Sequence, residues 1–190
     1  ALDHCIERLY TTGNQAAIDA PILAAAEMLF THLPGSRESD GDPEARLQCL
    51  VAAWMSMMGS PNFATGLSHA IGHILGVKYS VGHGYTSCVT QPYVMEFNRP
   101  VSATKQALLA RSAGIDTRGM SDEAAAEAAA RAVDDFVLGM GMPHRIRELE
   151  IPESDLPEIA ELVLTDGGCQ NNPILITSAE QVMEVLRTAF

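Results

Sequence analysis

The chain is short of basic charge. Against 24 Asp and Glu stand 12 Lys and Arg, a net charge of −12 over 190 residues. Nucleic acid and anionic membrane surfaces both recruit basic patches, so this balance argues against either as a partner. Cysteine is sparse and scattered. Cys5, Cys49, Cys88 and Cys169 form no Cys-x-x-Cys pair, which argues against a disulfide framework and against a thiolate zinc site. They read as buried reduced thiols of a cytoplasmic protein. No apolar run reaches the roughly 18–20 residues that span a bilayer, and no secretory signal pattern is visible. The phosphate-cradling patterns Gly-x-Gly-x-x-Gly and Gly-x4-Gly-Lys-Ser are missing as well, so the chain carries no nucleotide loop of its own. Gly139-Met140-Gly141 lacks a preceding strand and reads as a helix terminator. Alternating strand patterns are also lacking; Val77 to Val81 is the best candidate and it is short.

What is present is helical periodicity. Hydrophobic residues make up 47% of the chain, enough for a sizeable core. Leu2, Ile6 and Leu9 share one helical face. Ala16 to Leu33 reads as a helix, with Pro21 near its beginning. The polar segment Pro34 to Pro43 reads as a loop. Glu44 to Met58 reads as a buried helix, because Leu47, Leu50, Val51, Trp54, Met55 and Met58 recur at spacings of three and four. Asn62 to Leu75, Tyr85 to Asn98, Lys105 to Ser112, Ser121 to Leu138, Leu156 to Leu164 and Ala179 to Ala189 complete the set. Gly76 to Gly84 is expected as a loop, Pro92 as a kink or first-turn residue, and Thr177 with Glu180 as a capping box. The fold class expected is all-α, a bundle of seven to nine helices.

Three of the six histidines fall within residues 66 to 84 (GLSHAIGHILGVKYSVGHG). His69 and His73, four apart, share a helix face. His83 follows on a glycine-flanked loop that can fold back over that face. Two imidazoles on a helix and one from a returning loop can ring a divalent ion. Gly66, Ser68, Ala70 and Gly72 are small enough to admit close neighbours. The other reading is that the histidines pack or hydrogen-bond within the core; spacing does not say which would bind metal. His4 on the first helix is a further candidate, although Asp3 beside it points about 100° away. His32 and His144 have no such company and read as surface or capping residues.

His69-x3-His73-x9-His83-Gly84 resembles the signature of the iron-dependent (group III) alcohol dehydrogenases, maleylacetate reductases among them. The opening ALDHCIERLY resembles the start of that family's helical domain, D-A-L-x-H-x-x-E. The stretch HGYTSCVTQPYVMEFNRP resembles its helix ending in Pro-x-V-x-x-F-N, and the tail from Leu156, with its Asn-Asn-Pro loop, resembles its C-terminus. The resemblance implies the all-helical C-terminal domain of a dehydroquinate synthase-like, iron-type alcohol dehydrogenase fold. It also implies an N-terminal α/β domain that binds NAD(P) and lies outside this chain. Ala1-Leu2-Asp3-His4 enters a helical pattern with no N-cap candidate, as at a domain boundary cut from a longer protein. The resemblance further implies His4, His69 and His83 as ligands of a divalent metal, Fe2+ or alternatively Zn2+. His73 would be a non-ligating histidine in the proton-relay position. The family's fourth ligand is an Asp four residues before the first His, a position preceding Ala1. The implied activity is hydride transfer between a small alcohol or carbonyl substrate and NAD(P), in a full-length homo-oligomer, a dimer. Two other functions fit the residues alone: a metal-dependent hydrolase on a helical histidine cluster, or a non-catalytic helical interaction domain.

Overall fold

The computed structural model describes residues 1–14, 16–37, 42–58 and 64–190. Among them the regular elements are all helical, with no strand. They are α1 (Leu2–Tyr10), α2 (Ala16–Ser36), α3 (Pro43–Ser56), α4 (Leu67–Tyr79), α5 (His83–Ser112), α6 (Asp122–Gly139), α7 (Leu156–Val163), the single turn α8 (Gly168–Asn171) and α9 (Ala179–Ala189). Two 3-10 turns lie at Ile146–Leu149 and Glu153–Asp155. The all-α expectation holds.

Two apolar cores share the molecule. Leu67, Ile71 and Leu75 of α4 pack with Val89 of α5, Ile159 of α7 and Val185 of α9. Ile6 and Leu9 of α1 pack with Ile22 and Leu29 of α2, Leu109 of α5 and Val133 of α6. Helix α5 links them. Its 30 residues span about 45 Å at 1.5 Å per residue. Tyr85–Asn98 and Lys105–Ser112, expected as two helices, are parts of this one. Pro92 lies well inside it rather than in its first turn, and Pro100 is interior too. A proline leaves carbonyls unserved in the preceding turn. Near Pro100, side chains add bonds to neighbouring backbone carbonyls: Gln106 Nε2 donates to Met95 O at 2.8 Å and Ser102 Oγ to Asn98 O at 2.7 Å.

Other expectations need correction. The Leu47–Leu50–Trp54 stripe of α3 is 51%, 69% and 68% exposed respectively, while Ala45, Ala52 and Ser56 face inward. Small side chains let α3 lie close on its neighbours, and the buried Arg8 donates to Ser56 O at 2.7 Å. Val77 to Tyr79 finishes α4, so no strand forms there, and Ser80 caps it in the left-handed region at φ 56°. Pro34 is helical; residues 38–41 of the expected loop, and Asn62 at the start of another expected helix, lie outside the described residues. The capping box sits one residue later than expected: the Gln181 side chain accepts from the backbone N–H groups of Thr177 and Ser178. Ser121 caps α6 as expected, its side chain accepting from Ala124 N.

Helix α2 has the length and composition of a membrane span, although acidic residues interrupt its apolar run. Here it packs on α1, α3 and α5. All four cysteines are free thiols; Cys5 and Cys169 are buried, but Cys49 and Cys88 are only half-buried.

Candidate metal centre

The Glu7 side chain joins α1, of one core, to the start of α4, of the other. There His4, His69, His73 and His83 converge. The His4 ring stacks on His69 with centroids 4.7 Å apart. His83 lies 5.3 Å from His69 and 5.9 Å from His73. His69 and His73, one turn apart, are 6.2 Å from each other. The loop after α4 does return over its face, but His83 is the first residue of α5, not a loop residue. Close helix contact permits this arrangement. A Cβ on Gly72 would meet Thr86 Oγ1 of α5 at 2.8 Å. His32 and His144 stand apart from the cluster: His32 is half-buried on α2, and His144 lies beside Asp134 and Glu148 at 3.5 and 3.4 Å.

His69 is held by carboxylates from α1. Its Nδ1 lies 2.7 Å from Glu7 Oε2 and 3.5 Å from Asp3 Oδ2. Glu7 is fully buried, and accepts from Gly66 N at 2.6 Å and Ser68 N at 2.7 Å. These are unpaired amides at the start of α4, which favour an anion there. Burial alone would lower the His69 pKa, but Asp3 and Glu7 together outweigh it and raise it. Burial, reinforced by repulsion from His69, pushes His4 down to about 4. The same two effects, in the same order, lower His83. His73 is different: its side chain is 49% exposed, and its Nδ1 lies 2.8 Å from Asp166 Oδ2.

The cluster opens on a cavity of about 730 Å³ lined by His4, His69 and His83 and, farther off, by apolar residues such as Leu29, Val133 and Phe136. Reading the sequence alone missed Asp3, Glu7 and Asp166. Asp3 and Glu7 had a local signal: both are acidic residues, four apart, on the helix that carries His4. Asp166 had none, since it is 93 residues from His73.

A family model described as "Fe-containing alcohol dehydrogenase family, C-terminal" matches residues 1–190. The chain belongs to that family. Lactaldehyde reductase of Escherichia coli (strain K12) is 33% identical over all of this chain and 49% of its own. An alcohol dehydrogenase structure from Oenococcus oeni matches at TM-score 0.95 and 25% identity, covering 100% of this chain and 49% of that one. Maleylacetate reductase from Agrobacterium tumefaciens shares the fold, at TM-score 0.83 and 22% identity over 100% of this chain and 50% of its own. The chain spans about half the length of the curated relatives it matches.

Membership of an Fe-containing alcohol dehydrogenase family implies a divalent metal and a nicotinamide cofactor. The donor set here fits such an ion. Asp3, Glu7 and His69 bring ligand atoms within 4.8 Å of one another. Yet Glu7 is committed to two backbone amides and to His69 Nδ1. That makes it a holder of His69 rather than a ligand, and leaves Nε2 as the ring atom free to bind. Asp3 Oδ1 is buried without a partner, so the pocket carries negative charge that a nearby cation would offset.

Proposed function

We propose that this chain is the metal- and substrate-holding part of an NAD(P)-dependent alcohol dehydrogenase, with His4, His69 and His83 as ligands of a divalent ion, Fe2+ before Zn2+. One observation carries the reading: Glu7 engages His69 Nδ1, so Nε2 is left as the ring atom facing the rings of His4 and His83. Metal-binding histidines characteristically give their second nitrogen to such a carboxylate. When bound, the ion supplies Lewis acidity at an alcohol oxygen and the nicotinamide supplies the hydride acceptor.

The chain's own residues do the rest. Glu7 and the start of α4 fix His69 in one orientation. The low proton affinity of His4 and His83 keeps both imidazoles neutral near pH 7. The apolar wall of the cavity receives the substrate's carbon skeleton and excludes water. His73, half exposed, takes the hydroxyl proton and returns it to solvent. We place the nucleotide-binding α/β domain in the part of the full-length protein that this chain does not cover, and the protein itself in the cytoplasm as a homodimer acting on a small alcohol or carbonyl.

The test uses the full-length enzyme. His69→Ala and His83→Ala should strip the metal, each losing several kcal/mol of binding, on the order of a lost ligand in a preformed site. His73→Ala should keep its metal and lose about 10²–10⁴-fold in turnover. Metal analysis and turnover on the same samples decide. Metal loss in His73→Ala with retention in His69→Ala would overturn the assignment, and full metal and activity in all three would leave the cluster structural.

A further inference from the structure

We propose that Asp166 is the positioning residue for His73: it fixes the imidazole as the tautomer protonated on Nδ1, so that Nε2 alone accepts the substrate's proton. This rests on His73 being the proton relay. The geometry begins with the short contact of His73 Nδ1 to Asp166 Oδ2, 2.8 Å. An ionised carboxylate only accepts, so Nδ1 must carry the hydrogen. Neutral or protonated, the ring keeps that bond, and only Nε2 changes state.

The carboxylate is itself held. Its other oxygen accepts from Gly168 N at 2.8 Å. Gly168 is buried against the start of α4, where a Cβ would meet Gly66 O at 2.5 Å and Ala70 Cβ at 3.1 Å. No larger residue fits there, so the approach of this loop to α4 is fixed by contact. Farther along, Asn172 and Asn98 exchange side-chain amide bonds at 2.7 and 2.8 Å, and Thr12 N donates to Asn171 O at 2.9 Å. The loop bearing Asp166 is therefore clamped to α4, to α5 and to the turn that follows α1. Among the described residues, His73 is the one basic side chain in ion-pair reach of Asp166.

Helix α4 thus carries two imidazole–carboxylate pairs one turn apart. Glu7 of α1 holds His69 by Nδ1, and Asp166 of the C-terminal loop holds His73 by Nδ1. Both Nε2 atoms are left for chemistry. In alcohol oxidation the O–H bond breaks and its proton forms the N–H bond at His73 Nε2. The O–H electron pair becomes the second C–O bond, and the C–H pair leaves as hydride to the oxidised nicotinamide of the proposed dehydrogenase. Asp166 stabilises the imidazolium so formed until Nε2 yields the proton to water.

Asp166→Asn separates this role from a structural one. Its amide oxygen can still accept from Gly168 N, while its amide N–H faces Nδ1 and drives the hydrogen to Nε2. In the zinc-loaded full-length enzyme, nitrogen-15 shifts of His73 should show the Nδ1–H tautomer in the parent and Nε2–H in Asp166→Asn. Turnover of the variant should fall about 10²-fold or more, with KM, metal content and melting temperature held. Asp166→Glu, which restores a carboxylate, should recover part of the loss. An Nε2–H tautomer in the parent, or parental turnover in Asp166→Asn when His73→Ala is slow, overturns the proposal. Parental turnover in His73→Ala instead overturns the relay reading, and the role of Asp166 falls with it.

Discussion

His69 and His73 are one turn apart on the same helix, yet they live in different media. His69 is 3% exposed and is gripped by a fully buried carboxylate. The His73 side chain is 49% exposed and its carboxylate is 21% exposed. Desolvation and charge are strong at the first and screened at the second. A buried, fixed imidazole suits a ligand whose orientation must not change. A wet one suits a group that gains and loses a proton each cycle. Helical spacing makes the two equivalent; the neighbours supplied by α1 and the C-terminal loop make them unlike.

The largest effect that tests this contrast is on stability. Glu7→Ala removes a buried acceptor from two backbone amides and from His69, and should cost about 3–5 kcal/mol. Asp166→Ala, at the wet rim, should cost about 1 kcal/mol or less. Urea denaturation of both variants measures the difference; equal losses would erase the distinction between the two pairs.

A smaller effect is on metal retention with pH. The His69 pKa is raised by Asp3 and Glu7 against the effect of burial, so its proton is held to higher pH than on a free imidazole and must leave before Nε2 can bind. His4 and His83, both lowered, are neutral already. Affinity should therefore fall as pH drops below the raised His69 value, about tenfold per pH unit for one displaced proton. Competition with a chelator between pH 8 and 6 reads the slope. A flat profile would show that His69 is already neutral and that its carboxylates do not set its charge.

The smallest effect is expected on α3. In this 190-residue chain, Trp54→Ser should change stability by about 0.5 kcal/mol or less, because the ring is already in solvent. Ile71→Ala in α4 should cost about 2–5 kcal/mol. Thermal unfolding compares them, and a large loss at Trp54 would mean that its face is covered.

The helices that could be read well from sequence have one apolar stripe and clear end signals. For α9 the span Ala179–Ala189 emerges from periodicity, and α6 from Ser121, Asp122 and Glu123 at its start. Helix α3 is ambiguous in sequence because it has an apolar stripe on one side and small residues on the other. Period alone does not say which stripe lies inward when Ala45 and Ala52 pack as well as Leu47 and Trp54. Helix α5 reads as two from sequence because Pro92 and Pro100 look like breaks, and the two cores that hold it through them exist only once the chain is folded. The histidines were legible because three of them lie within residues 66 to 84. Asp166 was not, since loop closure brings it to His73 from 93 positions away.

By itself the sequence determined the helical class, the family and the histidine cluster. Each of these is written in local spacing or in short motifs, which survive without knowledge of what packs where. The tertiary structure alone decided which imidazole nitrogen faces a carboxylate, which histidine is dry and which apolar face is left in water. Those properties depend on burial and on contacts between residues far apart in the chain, where proximity is set by the packing of α1, α4, α5 and the C-terminal loop.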